Sequence, residues 1–143
     1  MKTMKTLLAA LCIVPALALA QDSRPYTYGP VTAVTYVKVK AGHFDEYMQH
    51  LGGAYRKQMQ AFQKAGLVLD YKVYAATPRS PADPDVILTV VYPNYAALDK
   101  TAEFDALSAQ VAGTLSTQNK AYGDRGAIRE VLGGMLTQEL VLK

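Results

Sequence analysis

The sequence predicts an α+β domain whose elements run β-α-β-β-α-β. Three observations predict it. Residues 31–40, "VTAVTYVKVK", are rich in β-branched side chains and alternate, as a strand does. Phe44, Tyr47, Met48, Leu51, Tyr55, Met59 and Phe62 then recur at spacings of three and four, the period of an amphipathic helix. Two more strand-like runs flank a stiff proline loop, and a fourth closes the chain.

The chain opens with Lys2 and Lys5, an apolar run from Leu7 to Leu19, and a small-x-small triplet at Ala18-Leu19-Ala20. That is the pattern of a secretory signal peptide over 1–20, cleaved after Ala20. The run is shorter than the roughly 20 residues needed to span a bilayer. The expected compartment is the periplasm or the exterior, with no membrane attachment after cleavage. Residues 21–30, "QDSRPYTYGP", read as a polar N-terminal arm, and 31–143 as one domain.

In the first strand Ala33, Thr35, Val37 and Val39 share one face, and Thr32, Val34, Tyr36, Lys38 and Lys40 the other. Ala41-Gly42 ends it. The helix that follows carries Asp45 and Glu46 in its first turn and Lys64 near its end, which suits the helix dipole. Gly66 is a stop signal. The mid-helix pair Gly52-Gly53 costs about 1 kcal/mol per residue relative to alanine and marks a bend, a close approach or a break.

Residues 67–75 and 85–92 read as strands two and three, with apolar groups on both faces. The loop between them, "TPRSPADPD", holds Pro78, Pro81 and Pro84, which fix the chain and cannot donate to a sheet. Two readings stand for it: a rigid hairpin connection, or an arm reaching a partner subunit. A helix with a break near Thr101 follows, then a glycine-rich stretch over 113–134, read as a short helix or an ordered loop. The last strand is placed at 134–143.

This order is the ferredoxin-like βαββαβ pattern: a four-stranded antiparallel sheet with helices on one face. Both faces of these strands are apolar, so the open face needs a cover. The simplest cover is a second copy across a two-fold axis, which predicts a homodimer.

Composition excludes several classes. Setting aside Lys2 and Lys5 leaves 13 basic and 12 acidic side chains of the 15 and 12 in the chain, a net charge of +1. Nothing there steers the protein to nucleic acid. Beyond Ala20 there is no cysteine, hence no disulfide framework and no thiol nucleophile. No phosphate loop, dinucleotide fingerprint or serine-hydrolase elbow is present.

The stretches "VTYVKVKAGHFDEYMQHL", "VILTVVYPNYAALDK" and "REVLGGMLTQELVLK" resemble the strand–helix junctions and terminal strand of dimeric α/β-barrel proteins. That group includes antibiotic-biosynthesis-type monooxygenases, haem-degrading monooxygenases, chlorite-dismutase-like and EthD-like proteins. The chain looks like a secreted bacterial subgroup of it with no characterised role. The resemblance implies a dimeric α/β-barrel and a small ligand between sheet and helices or near the barrel mouth. It carries over no catalytic motif.

The residues themselves offer candidates. Ten tyrosines against three phenylalanines and no tryptophan suggest either core and interface packing or an aromatic-lined pocket. The pocket reading selects Tyr36 first, with Tyr47 and Tyr55 as walls and Tyr92 from a strand. His50 joins them as a ligand contact. Asp70, between apolar strand residues, reads as a strand-edge or interface ion pair, or as a base beside the pocket. His43, Glu46 and His50 form one helix stripe that could hold a metal, but one helix gives an incomplete ligand set; polar side chains facing solvent are the favoured reading, and no metal or cofactor is expected. Lys120, Arg125 and Arg129 form a basic rim interrupted by Asp124 and Glu130, read as solvated surface.

The favoured function is binding of a small apolar or aromatic ligand. The alternatives are a cofactor-independent monooxygenase acting on an activated phenol, and a structural or protein-interaction module.

Overall fold

The computed structural model describes residues 24–143. The signal peptide and its cleavage after Ala20 lie outside the described residues.

Four strands form the sheet: β1 (Tyr26–Val39), β2 (Asp70–Ala75), β3 (Val86–Tyr92) and β4 (Arg129–Leu142). Their order is β2-β3-β1-β4, and each neighbouring pair is antiparallel. Register is fixed by Val37, which pairs with Val86 of β3 and with Val131 of β4. This is the ferredoxin-like order expected from the sequence.

The expected barrel is corrected here. β2 pairs with β3 and β4 pairs with β1, leaving both outer strands as edges of an open sheet. Four strands are too few to curl into a barrel of their own; closed barrels of the smallest common kind need about eight. Apolar residues on both faces of a strand therefore mark an open sheet with an apolar outer face, not closure.

Three element boundaries also differ from the sequence reading. β1 starts at Tyr26, inside the segment read as an arm. Gly29 and Pro30 hid it, and they sit where the β1–β4 register shifts between Tyr28 and Val31. β2 starts only at Asp70, because Leu67 and Val68 are fully buried in the connection before it. β4 begins at Arg129, five residues before the place where its alternation becomes obvious. Its glycines are a bulge rather than a loop: Gly133 has φ +145°, and the register shifts beside it. A Cβ on Gly134 would run into the Val34 carbonyl oxygen, so glycine is what lets β4 approach β1 there.

The first helical region is continuous through α1 (Phe44–His50), a π turn (Leu51–Tyr55) and α2 (Arg56–Lys64). The π turn falls on Gly52-Gly53. An apolar stripe stepping by four drifts around an α-helix of 3.6 residues per turn. The wider π turn absorbs that drift and keeps Tyr47, Leu51, Tyr55 and Met59 on the sheet. The end of α2 is a Schellman cap: Gly66 N–H donates to Gln63 O at 3.0 Å and Leu67 N–H to Phe62 O at 3.0 Å. Gly66 takes φ +73°, which explains glycine at that position.

The second helical region starts with a 3-10 turn (Tyr95–Asp99), whose first amides are capped by Asn94 Oδ1 accepting from Ala97 N at 3.0 Å. Then come α3 (Thr101–Ala112) and α4 (Leu115–Asp124), the latter capped by Thr114 and followed by a 3-10 turn (Arg125–Ala127).

Two apolar clusters lie between helices and sheet. Val37, Val39, Tyr47, Leu51, Val86 and Ile128 form one. Met59, Phe62, Leu67 and Val68 form the other, with Phe62 edge-to-face on Phe104 of α3 at 4.9 Å. Full burial of a side chain such as Leu67 stabilises the fold by about 1.5–3 kcal/mol. Among the described residues no helix is long and apolar enough to cross a membrane.

The proline loop is pinned from within. Asp83 accepts from the amides of Arg79 and Ser80, both at 2.8 Å, which holds its carboxyl below the usual carboxylate range. Lys38 Nζ donates to Asp83 O at 3.0 Å. The loop therefore folds back on β1 as a stiff connection.

Candidate ligand-binding site

A cavity of about 310 Å³ opens between the first helical region and α4. His50, Ala54, Tyr55 and Gln58 form one wall, from the end of α1, the π turn and the start of α2. Ala112 ends α3 above it, and Gln118, Ala121 and Arg125 close the far side. The sequence makes this space in two ways. Three of the lining positions are alanine, and Gly113 at φ +83° turns the chain between α3 and α4.

Two amides help to frame it. Gln58 Nε2 donates to the buried Ser108 Oγ at 2.8 Å, tying α2 to α3. Gln118 Nε2 donates to Gly113 O at 2.8 Å, which serves an otherwise open carbonyl beyond the end of α3. Both side chains are thereby held rather than free to rotate.

His50 lies half-buried, stacked on Tyr47 with ring centres 6.2 Å apart. Burial lowers its pKa, and the charges of Arg125 and Arg129 lower it further. The imidazole is therefore neutral at neutral pH. Tyr55 packs against both apolar clusters and meets Tyr71 edge-on at 6.1 Å. Its hydroxyl is buried without a hydrogen-bond partner among the described residues. Burial, and then the neighbouring Tyr47, Tyr92 and Tyr71, push its pKa well up. Burial also raises Tyr47, against the pull of Arg129 and Arg125.

Arg125 and Arg129 flank one ring, their guanidinium carbons 5.7 Å and 5.0 Å from the centre of Tyr122. Burial, then repulsion by Arg129, lowers the Arg125 pKa. Among the described residues neither arginine has a carboxylate partner.

The sequence-derived candidates separate in space. His50 and Tyr55 line the cavity, and Tyr47 is buried beneath His50. Tyr92 lies in the second cluster, edge-on to Phe104 at 6.1 Å. Tyr36 is on the other face of the sheet, because its neighbour Val37 points into the core. Asp70 sits at the start of β2, where it pairs with Lys72 at 3.2 Å and accepts from Tyr71 N at 2.9 Å. His43 pairs with Glu46 at 2.8 Å, apart from His50 in the cavity wall. No group of three metal-ligating side chains occurs among the described residues.

Sequence reasoning missed Gln58, Gln118 and the part played by the two arginines. A signal for the arginines existed. Asp124 is engaged by Lys120 at 2.7 Å across one helical turn, and Glu130 follows Arg129 in a strand and so points to the opposite face. Neither acid is paired with the arginine beside it in the sequence.

A second hollow of about 300 Å³ lies beside Val39, Phe44 and Ala75. Its one carboxylate, Asp85, is already bound to Val39 N and Lys38 Nζ.

No protein-family model matches the chain, and no curated protein matches it. Among solved structures it is similar to the crystal structure of HapK from Hahella chejuensis, at 14% identity and a TM-score of 0.52, over 76% of this chain and 91% of that one. At that identity the likeness is one of fold, and it agrees with the ferredoxin-like architecture built above.

Proposed function

We propose that this domain binds a small, flat, largely apolar or aromatic molecule in the cavity between the first helical region and α4. The observation that carries the reading is the cavity itself. Its volume of about 310 Å³ falls at the lower end of the range for small-molecule sites. Its lining combines three alanines with a few polar groups held in place, which is the usual division between bulk and orientation. Calorimetric titration with a panel of phenols, quinones and aromatic acids tests it. One-to-one saturable binding that Ala54→Leu abolishes by filling the space supports the reading. Binding unchanged in that variant contradicts it.

A second reading is a cofactor-independent monooxygenase acting on an activated phenol. The neutral imidazole of His50 favours it, because such a group at the cavity wall can accept a phenolic proton. Oxygen uptake that depends on a phenol and disappears in His50→Gln would support this chemistry; uptake indifferent to His50 would not.

The amino-terminal pattern supports export to the periplasm or exterior. The open sheet face supports a homodimer, since Tyr74 and Met135 stand about half exposed there beside Val34, Tyr36 and Ile87.

A further inference from the structure

Two like charges sit at one corner of the cavity, and among the described residues no carboxylate pairs with either. Arg129 is only 9% exposed, and Arg125 forms part of the cavity wall. A buried cation without a counter-charge is costly, and proteins commonly pair such groups. Here the nearby acids are absent or engaged. Asp124 is held by Lys120, and Glu130 lies on the other face of β4. His50 adds no negative charge. What both guanidinium groups meet is an aromatic face, the Tyr122 ring. An aromatic face attracts a cation through its quadrupole but carries no net charge, so it does not replace an anion.

The rest of the lining sets the shape of the missing partner. Ala54, Ala112 and Ala121 offer apolar surface, and the amides of Gln58 and Gln118 already donate to Ser108 Oγ and Gly113 O, so the lining does not surround a free inorganic ion with open donors. Planar guanidinium groups match the two oxygens of a carboxylate.

We infer that the cavity takes an organic anion, a small planar carboxylate, with its charged end against Arg125 and Arg129 and its ring against Ala54, Ala112 and Ala121. This rests on the ligand-binding reading above and narrows it to a charge class. Arg125 makes the contact from the cavity wall, and Arg129 adds positive potential behind it.

The test compares naphthoate with naphthamide, two probes of nearly one shape that differ in charge. Both are titrated into the full chain above the histidine range of pH, at low and at moderate salt. The expected result is naphthoate binding about tenfold more tightly, a difference of about 1.4 kcal/mol. The preference shrinks with salt and is largely lost in Arg125→Gln. Circular dichroism checks that the variant is folded; if it is not, the wild-type probe pair and its salt dependence decide. Equal binding of the two probes overturns the inference and leaves the ligand-binding reading intact. Inorganic phosphate displacing naphthoate at similar concentration overturns it too, because the ring then contributes nothing. Binding of neither probe overturns both.

Discussion

Asp85 Oδ2 accepts the Val39 amide at 2.8 Å, and its Oδ1 lies 3.2 Å from Lys38 Nζ. One carboxylate thus joins the end of the proline loop to the end of β1. The backbone adds a third tie, since Asp85 N donates to Val37 O at 2.9 Å. Asp85→Ala removes the acceptor for a backbone amide and is expected to cost about 1–3 kcal/mol. Asp85→Asn keeps an acceptor and costs less. Urea denaturation of the pair measures this, and equal midpoints for Asp85→Ala and wild type would contradict the pinned loop.

Tyr55 presents the opposite situation. Its buried hydroxyl has no partner among the described residues, so it was stripped of water for no return. Tyr55→Phe deletes that hydroxyl while keeping the ring against Tyr71 and both core clusters. The variant is expected to gain about 1 kcal/mol in stability. A loss of similar size would show that the hydroxyl is hydrogen-bonded in solution.

His50 gives stability a pH dependence with a definite sign. Its folded pKa is lowered, first by burial and then by Arg125 and Arg129. In the unfolded chain it returns to about 6.5. Between those two values the unfolded state binds more protons, so stability rises with pH through that window. The contribution is fully present above the unfolded value, fades as pH falls through it, and levels off below the folded value. His50→Gln is expected to remove this part of the slope. His43 remains in both proteins, so the difference between them isolates His50. Identical slopes just below the ordinary histidine pKa would contradict the burial argument.

The open sheet face predicts self-association. Met135 is half exposed on that face, opposite Val34. Sedimentation equilibrium of the wild-type chain is expected to show a dimer. Met135→Glu puts a charge at the face and is expected to yield monomer with the ligand cavity unaffected. A wild-type monomer at high concentration would contradict a homodimer through this surface.

Much of the architecture is written in local periods. The alternation of residues 31–39 and the three–four stripe from Phe44 to Phe62 are visible by eye, and the fold follows from their order. The errors fall where one residue breaks a period. Pro30 hides the first part of β1, and Gly133-Gly134 hides the first part of β4, because bulges keep a strand while spoiling its pattern. A one-residue alternation also sends Tyr36 away from the cavity while Val37 enters the core. The barrel was an extrapolation from two-faced strands, and a sheet of four strands with two edges does not support it. The site was half legible. His50 and Tyr55 share a helix face with obvious core residues. Arg125 and Arg129 looked balanced because acids adjoin them in sequence, whereas Lys120 engages Asp124 across a helical turn and strand alternation turns Glu130 to the face opposite Arg129.

The cavity at His50, Gln58 and Gln118 is proposed to receive a small molecule. An amide-shift titration of the isotope-labelled chain with naphthoate tests it most directly. Saturable shifts are expected at His50, Ala54, Gln58, Ala112, Gln118 and Ala121, with Thr32 and Val34 on the open face unmoved. Shifts that do not saturate, or that gather on the open face and spare these six positions, would contradict it.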